Sequence, residues 1–296
     1  MPSDDFPTAV MIGGPAASGK STIARLLARK RGLRWYSTDA QTWTHRARAV
    51  GQGLHAEDDP TPGDFDRGPM IQADLEQLAE ETPTAGTVVE GALITPDFAP
   101  IPRSVWLMPS AAEQRRRLQE RSAAATIHHG LIYGHRLITG QLAGTAATII
   151  DVDGQSIAET LTAVEAALAS ALNDLTSAQT TPDRQQMIRY GNRSLADQLQ
   201  VKINNGQLRE HGEAAEQTFD CECGQPDCTA MVQLQPDEAI LMTGEPPGSV
   251  QVDAAARSRR PNAILEAASD KSIDRVPTHD NAVTRSRDPG LDTGLG

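Results

Sequence analysis

The chain has 296 residues, and its 27 lysines and arginines against 39 aspartates and glutamates give a formal net charge of −12. An acidic surface repels phosphate backbones and anionic membranes, and aromatic side chains, at 3% of the residues, are too few for broad base-stacking platforms. The composition therefore disfavours nucleic-acid binding, and the length predicts about two domains.

No apolar run approaches the roughly eighteen residues of a membrane span. Residues 1–10 (MPSDDFPTAV) are acidic, where a secretory signal would be basic and then apolar. We therefore expect a cytoplasmic protein without a membrane partner.

Short β-prone runs alternate with helical patterns over residues 8–172. Strands alternating with helices predict an α/β fold with a five-stranded parallel sheet covered on both faces. Two helices have the Ser-x-x-Glu spacing of a capping box, at Ser110 and Ser156. The predicted strands are 8–12, 33–36, 87–90, 104–108 and 148–152, with a helix at 42–50, a loop at 51–69 and a further helix carrying Met70, Ile71, Leu75 and Leu78.

A boundary falls at residues 173–182 (NDLTSAQTTP), where Thr181 and Pro182 fit the N-cap and first position of a new helix. Helical spacing over 183–203 is interrupted by Gly191 and Asn192. From 243 onward Gly, Pro, Ser, Asp and Arg dominate without a period. The sequence thus predicts an α/β domain at 1–175, a small, mainly helical unit with cysteines at 183–242, and a disordered tail at 243–296.

Residues 14–21 (GPAASGKS) have the two glycines, lysine and hydroxyl residue of a phosphate-binding loop, a pattern expected by chance on the order of 1% of the time. The glycines permit a tight backbone that turns N–H groups toward phosphate oxygens, and the following helix adds partial positive charge. Lys20 would reach the β and γ phosphates, and Ser21 would ligate Mg²⁺. The predicted ATP-binding residues are Gly14, Ala17, Ser18, Gly19, Lys20, Ser21 and Thr22.

Acidic side chains follow two of the predicted strands. Asp39 lies just past the second strand and is the candidate general base for an acceptor hydroxyl, with a helix N-cap as the alternative. Glu90 ends the third strand in Val-Val-Glu-Gly and is the candidate second Mg²⁺ ligand, with a buried structural carboxylate as the alternative. Ligands of such sheets bind outside the carboxyl ends of the strands, where both acids lie.

Residues 8–172 resemble the P-loop kinases of the nucleoside-monophosphate-kinase type, which include shikimate and gluconate kinases, chloramphenicol phosphotransferase and the kinase domain of polynucleotide kinases. The resemblance rests on residues 14–22, Asp39, the Val-Val-Glu-Gly strand, and Val-Trp-Leu at 105–107 followed by an arginine-rich helix. It implies that the domain at 1–175 has the three-layer P-loop NTPase fold of a kinase. It also implies ATP and Mg²⁺ as cofactors and arginines that close over the transferred phosphate.

The arginine-rich helix offers Arg117 and Arg121 as the candidates for that role, because they share a helix face. Arg115 and Arg116 point elsewhere, and Arg46 and Arg48 are alternatives for binding an anionic acceptor. Residues 128–136 (HHGLIYGHR) replace the usual lid of the family, so the lid does not identify the phosphate acceptor. The three histidines there do not have the spacing of a standard zinc site.

Cys221, Cys223 and Cys228 are the only cysteines, and an odd, clustered set indicates free thiols or a metal rather than disulfides. Three thiolates suit Zn²⁺, and a fourth ligand could be His211, an aspartate or a residue of another chain. Reduced structural cysteines and a redox role are the alternatives. This segment resembles a small Cys-Glu-Cys-Gly module of bacterial proteins without established activity.

These observations favour an ATP-dependent phosphotransferase acting on a small-molecule hydroxyl or phosphate acceptor. The alternative is a nucleotide-binding regulatory or adaptor protein in which the C-terminal unit recruits a protein partner. Polynucleotide 5′ phosphorylation is a third hypothesis, which the acidic charge disfavours.

Overall fold

The computed structural model describes residues 6–59, 65–81, 85–121, 129–206 and 217–251, except for the side chains of Arg121 and His129. Five strands form one sheet in the order β2-β3-β1-β4-β5, and every neighbouring pair is parallel. This confirms the predicted α/β fold. The strands are β1 Ala9–Gly13, β2 Arg34–Ser37, β3 Thr87–Glu90, β4 Ser104–Met108 and β5 Thr148–Asp151.

Helices cover both faces of the sheet, because its central strands are apolar on both sides. Val10 and Ile12 face one layer of helices, whereas Met11, between them, belongs to the core on the other face. The first core includes Leu27 and Val164, and the second includes Ile71. The helices are α1 Lys20–Arg31, α2 Thr42–Gly51, α3 Gly68–Glu81, α4 Ala111–Arg121, α5 His129–Leu142, α6 Ile157–Ala167 and α7 Ala169–Asn173, with a 3-10 turn at Ile101–Arg103.

The carboxyl ends of β1, β2 and β3 meet at one edge of the sheet. Glu90 of β3 is in register with Ile12 of β1 on one side and with Ser37 of β2 on the other. The segments that follow these three strands are therefore neighbours in space.

The two predicted capping boxes differ. Ser156 and Glu159 form the complete box at the start of α6, which confirms the prediction. At Ser110 the hydroxyl accepts from the Glu113 N–H at 3.1 Å, but the Glu113 carboxylate binds Arg116 and Arg117 instead. The second box is therefore half formed.

The C-terminal segment contains α8 Thr181–Asn204, β6 Gln217–Asp220, β7 Met231–Leu234 and α9 Pro236–Gly244, and β6 pairs with β7 antiparallel. The cap of α8 lies one residue earlier than predicted. Thr180, not Thr181, is the N-cap, because its hydroxyl is the one placed to accept from the Asp183 N–H at 3.3 Å. Pro182 lies in the first turn.

Helix α8 continues through Gly191 and Asn192, so the predicted interruption is wrong. A Cβ at Gly191 would lie 2.7 Å from Trp35 Cε3, which shows that glycine allows the helix to approach β2 closely. Asn192 donates to the Asp220 carbonyl and accepts from the Asp220 N–H, both at 2.9 Å. All four residues of β2 are buried at this end of the sheet, whereas three of the four β5 residues at the other end are exposed.

A buried ion pair organises the C-terminal segment. Arg189 of α8 donates to both carboxylate oxygens of Glu222 at 2.7 and 2.6 Å, and Glu222 is fully buried. The same guanidinium donates to the carbonyls of Met242, Glu245 and Pro246. One arginine thus connects α8, the loop after β6 and the end of α9.

The predicted start of the tail at 243 is too early. Thr243 lies within α9, and Val250 is completely buried and accepts from the Glu222 N–H at 2.6 Å. Residues 252–296 lie outside the described residues. The proposed division at 175–183 stays a prediction. Within the described ranges, no helix is both long and apolar enough to cross a membrane.

Candidate functional site

Residues 14–19 connect β1 to α1, and Lys20 and Ser21 begin the helix, as the motif predicts. Gly14 has φ 137° and Ala17 has φ 63°, and a Cβ at Gly14 would lie 2.4 Å from the Leu107 carbonyl oxygen. The Ser18 N–H donates to the Pro15 carbonyl at 3.3 Å and tightens the turn. The backbone here is a compact loop that only a glycine at position 14 can complete.

Helix α1 begins at Lys20 without a side-chain cap from any described residue, and its N-cap is Gly19 with φ 89°. The first N–H groups of such a helix lack partners within the helix and carry partial positive charge. The Ser18 hydroxyl beside them is also buried and bonds to no described residue. These groups together fit a bound phosphate.

Lys20 is 5% exposed, and its ammonium group lies 3.5 Å from the Pro15 carbonyl and 3.9 Å from Asp39 Oδ2. The lysine therefore lies against the loop and points to the end of β2. Asp39 keeps 55% of its side chain exposed. It does not cap α2, whose N-cap is Gln41, so the alternative role for Asp39 is wrong.

Ser21 and Glu90 are in direct contact. The Ser21 hydroxyl donates to Glu90 Oε2 at 3.0 Å, while Glu90 Oε1 is buried and has no hydrogen-bond partner among the described residues. Burial raises the pKa of Glu90, the positive charge of Lys20 opposes this rise, and the negative charge of Asp39 adds to it. A buried carboxylate with one unsatisfied oxygen beside a hydroxyl is the donor set that a hard cation such as Mg²⁺ prefers.

A buried polar network that the sequence did not predict supports the end of β2. Arg67 donates to the Thr38 carbonyl, to Thr42 Oγ1 at 3.0 Å and to His45 Nδ1 at 3.2 Å. His45 Nε2 lies 2.8 Å from Asp74 Oδ2. Because Thr38 precedes Asp39, Arg67 holds the backbone on which the candidate base is placed.

Arg46 and Arg48 have partners other than an acceptor anion. Arg46 donates to the carbonyls of Glu57 and Asp59 at 3.0 and 2.6 Å, and Arg48 pairs with Asp74. The structure therefore assigns both arginines to packing contacts and does not support their alternative role in acceptor binding.

Among the α4 arginines whose side chains the structure describes, Arg117 reaches the phosphate loop. Its guanidinium donates to the carbonyls of Ala17 at 3.4 Å and Val152 at 2.9 Å, and to Glu113 at 2.6 Å. Hydrogen bonds from Arg116 and Arg117 lower the pKa of Glu113 to about 2, so this carboxylate is ionised at neutral pH. Arg117 therefore lies beside the phosphate loop, and its guanidinium is held there by Ala17, Val152 and Glu113.

Other polar residues of α4 are either exposed or buried. Arg115 and Arg116 are exposed, as expected from their helix positions. Arg121 ends α4, and its side chain lies outside the described residues, so its predicted role stays untested. Gln114, which sequence reasoning missed, is 1% exposed and donates to the Ala16 and Leu131 carbonyls, thereby connecting the phosphate loop with α5.

Of the three histidines at 128–135, the structure describes the side chain of His135. His128 and the side chain of His129 lie outside the described residues. His135 Nε2 lies 2.8 Å from the Pro109 carbonyl, which anchors α5.

The three cysteines lie together in the loop between β6 and β7. Their sulfur atoms are all within 4.8 Å of one another. Cys221 and Cys223 are buried, and Cys228 is half-buried. Hydrogen bonds with Cys221 and Cys223, together with burial, raise the pKa of Cys228. His211, a proposed fourth ligand, lies outside the described residues.

The cysteine loop is attached to α1 by two arginines. Arg25 donates to Asp220 Oδ2 at 2.8 Å, and Arg29 donates to the Cys221 carbonyl at 2.5 Å. Arg29 is nine positions from Lys20, which corresponds to about 14 Å along a helix axis. The cysteines therefore lie near the far end of the helix that begins at the phosphate loop.

No family model matches the chain, and no curated protein matches it. Among solved structures, the fold is similar to a sugar kinase from Janibacter sp. HTCC2649 at 18% identity and a TM-score of 0.40, over 57% of this chain and 98% of that one. It is also similar to a gluconokinase from Sinorhizobium meliloti 1021 at 22% identity and a TM-score of 0.40, over 57% of this chain and 95% of that one.

Proposed function

We propose that the chain is an ATP-dependent phosphotransferase that phosphorylates a small molecule. The observation that carries this proposal is the convergence of Lys20, Ser21 and Glu90 beside an uncapped helix N-terminus, with Asp39 3.9 Å from the lysine. Phosphate-binding groups, a cation-binding pair and an accessible carboxylate are thus adjacent at the carboxyl ends of three parallel strands.

The phosphate loop supplies the binding energy for the triphosphate. Backbone N–H groups of the first turn of α1 and the buried Lys20 ammonium are the donors for its oxygens. Ser21 and Glu90 would hold Mg²⁺, which neutralises charge on the phosphates. Glu90 must be ionised for this task, and Lys20 favours that state.

Asp39 is the group placed to receive the acceptor's proton. The oxygen of the acceptor hydroxyl forms a bond to the γ-phosphorus, and the bond from that phosphorus to the bridging oxygen of ADP breaks. The hydroxyl proton passes to the Asp39 carboxylate, which is the most exposed carboxylate of the cluster. Arg67 acts as a positioning residue by holding the Thr38 carbonyl.

We assign Arg117 a role in supporting the phosphate loop rather than in binding the transferred phosphoryl group alone, because its guanidinium donates to the Ala17 carbonyl. A guanidinium there adds positive charge beside the triphosphate. The proposed acceptor is a small molecule with a hydroxyl or phosphate, because the net negative charge of the chain repels a nucleic acid.

The decisive experiment compares Lys20→Ala with Lys30→Ala by calorimetric titration with ATP. Both lysines belong to α1, but Lys30 is half exposed and pairs with Glu165. We expect K20A to bind ATP at least about tenfold more weakly, since a hydrogen bond from a charged group contributes about 1.5–3 kcal/mol. K30A should bind as the wild type does, and equal ATP affinity in all three proteins would contradict the proposal.

Phosphotransfer is tested by screening a metabolite panel for ADP release, with Asp39→Asn as the variant that removes the base. An acceptor that supports turnover in the wild type and not in D39N would support the kinase assignment. Tight ATP binding without transfer to any acceptor would favour a nucleotide-binding regulatory protein instead. A 5′-hydroxyl oligonucleotide with labelled ATP tests the polynucleotide alternative.

A further inference from the structure

The loop that carries the cysteines directs their side chains to one place. Cys221 and Cys223 flank Glu222, whose carboxylate points into α8 and binds Arg189 and Asn192. The buried Arg189–Glu222 pair therefore fixes the backbone between the two flanking cysteines.

Backbone hydrogen bonds shape the rest of the loop, which carries the third cysteine. The Cys221 N–H donates to the Ala230 carbonyl at 3.1 Å and closes the loop, and the Cys228 N–H donates to the Gln225 carbonyl at 3.3 Å and forms its turn. Within the described part of the chain, these cysteines form the one group of three His, Cys, Asp or Glu side chains that meets the distance for a shared metal ion.

We propose that Cys221, Cys223 and Cys228 bind one Zn²⁺ ion through three thiolates. Zinc–sulfur bonds of about 2.3 Å in a tetrahedral site place the sulfurs about 3.8 Å apart. The sulfurs here all lie within 4.8 Å, so a small contraction of the loop forms the site. Thiolates are soft ligands that select Zn²⁺ over Mg²⁺, and each thiol releases its proton to solvent on binding.

The surroundings fit three thiolates and one open position. Cys228 is the half-buried member, so the fourth position faces solvent and is taken by water or a small anion. Three thiolates with Zn²⁺ carry one net negative charge. The guanidinium of Arg29, which donates to the Cys221 carbonyl, lies beside the cluster and offsets that charge.

The site would stabilise the attachment of the C-terminal segment to α1. Arg29 contacts the carbonyls of both Cys221 and Gln225, which lie in the loop that the metal closes. Binding energy at the thiolates therefore adds to folding energy for this loop and for the contacts it makes with α1.

The test measures metal in the full chain, purified without oxygen from a zinc-supplemented culture and desalted. We expect one zinc ion per chain by elemental mass spectrometry. Replacement with CoCl₂ should give a thiolate-to-cobalt charge-transfer band in the near ultraviolet. A zinc content no higher than that of the buffer, together with no such band, would overturn the proposal.

Two variants separate the metal from a structural role of the thiols. Cys228→Ser should bind ZnCl₂ at least about tenfold more weakly, whereas its neighbour Thr229→Ala should bind as the wild type does. Should C228S fail to fold, the wild type is compared before and after treatment with a zinc chelator, which should lower its Tm. A disulfide between two of the cysteines in the protein as purified, or a Tm that the chelator leaves unchanged, would also overturn the proposal.

Discussion

The hydroxyl of Ser21 donates a 3.0 Å hydrogen bond to Glu90 and joins the first turn of α1 to the end of β3 across 69 residues of sequence. The contact depends on the register of β1 with β3, which aligns Ile12 with Glu90. The fold thus brings together a serine of the phosphate loop and an acid at a strand end, which are far apart in sequence, in one candidate site.

Glu90→Gln should remove the magnesium-dependent part of the ATP affinity. An amide keeps the size of the side chain and can still accept from Ser21, but it lacks the charge that binds a hard cation. We expect ATP affinity in the presence of Mg²⁺ to fall at least about tenfold, with a smaller change when EDTA is present. Calorimetry in both buffers measures the difference. Glu120→Gln, on the exposed face of α4, should leave both affinities unchanged.

Arg189→Met should destabilise the chain strongly. It removes one partner of a buried ion pair and leaves the Glu222 carboxylate without its bidentate donor. Such losses cost about 3–5 kcal/mol in the free energy of unfolding, measured by equilibrium urea denaturation. Arg193→Met changes an exposed arginine of the same helix and should cost less than about 1 kcal/mol. Similar values for both variants would show that the pair does not organise the segment.

Two glycine-to-alanine substitutions should change the stability of the protein in opposite directions. Gly191→Ala places a methyl group 2.7 Å from Trp35 and should destabilise by about 1–3 kcal/mol, because α8 must move away from β2. Gly134→Ala, in α5, meets no atom of the described residues within 4 Å and should stabilise by up to about 1 kcal/mol through helix propensity. Thermal unfolding of the two variants beside the wild type checks both signs. A higher Tm for G191A would contradict the packing of α8 on β2.

His45 should make stability depend on pH below neutrality. Its Nδ1 accepts from Arg67 while Nε2 faces Asp74, so the neutral ring fits the site and a second ring proton would face Arg67. Burial lowers the pKa of His45 below its ordinary value of 6.5, and the carboxylate of Asp74 opposes this only in part. A folded-state pKa below the unfolded one means that this contribution is complete above pH 6.5 and is lost as the pH falls through the folded-state pKa.

The measurement is the free energy of unfolding in urea from pH 7.5 to 5. Relative to the wild type, His45→Gln should lose less stability over this range, although its stability at neutral pH is lower. His135→Gln removes a partly buried histidine of α5 whose ring contacts the Pro109 carbonyl, and it should follow the wild-type curve. Parallel curves for H45Q and the wild type would exclude His45 as the titrating group.

The elements of the sheet were predictable because their signals are local. Each strand is a short apolar run bounded by glycine, proline or polar residues, and the observed bounds differ from the predicted ones by about a residue. The phosphate loop was predictable for the same reason, since Lys20 and Ser21 lie within one eight-residue motif. Glu90 followed from its position at the end of a strand.

The roles of other polar residues depend on partners that are distant in sequence. Arg48 was a candidate for anion binding, yet it pairs with Asp74, and Arg67, which was not singled out, holds the backbone beside Asp39. Nothing in the local sequence distinguishes these two arginines. Gly191 was interpreted as a helix interruption because its contact with Trp35 requires the sheet and α8 to be placed first.

The burial of β2 has a consequence for how the chain can associate. An edge strand of a sheet has unpaired backbone groups that can pair with another chain. Strand β2 is such an edge strand, and α8 packs against it. A chain ending before Thr181 would uncover the β2 side, and we expect it to aggregate through strand pairing. At the opposite edge of the sheet, β5 pairs with β4 on one side, and Ile149 is half exposed among the described residues, so we expect intermolecular pairing in the full chain to involve that strand.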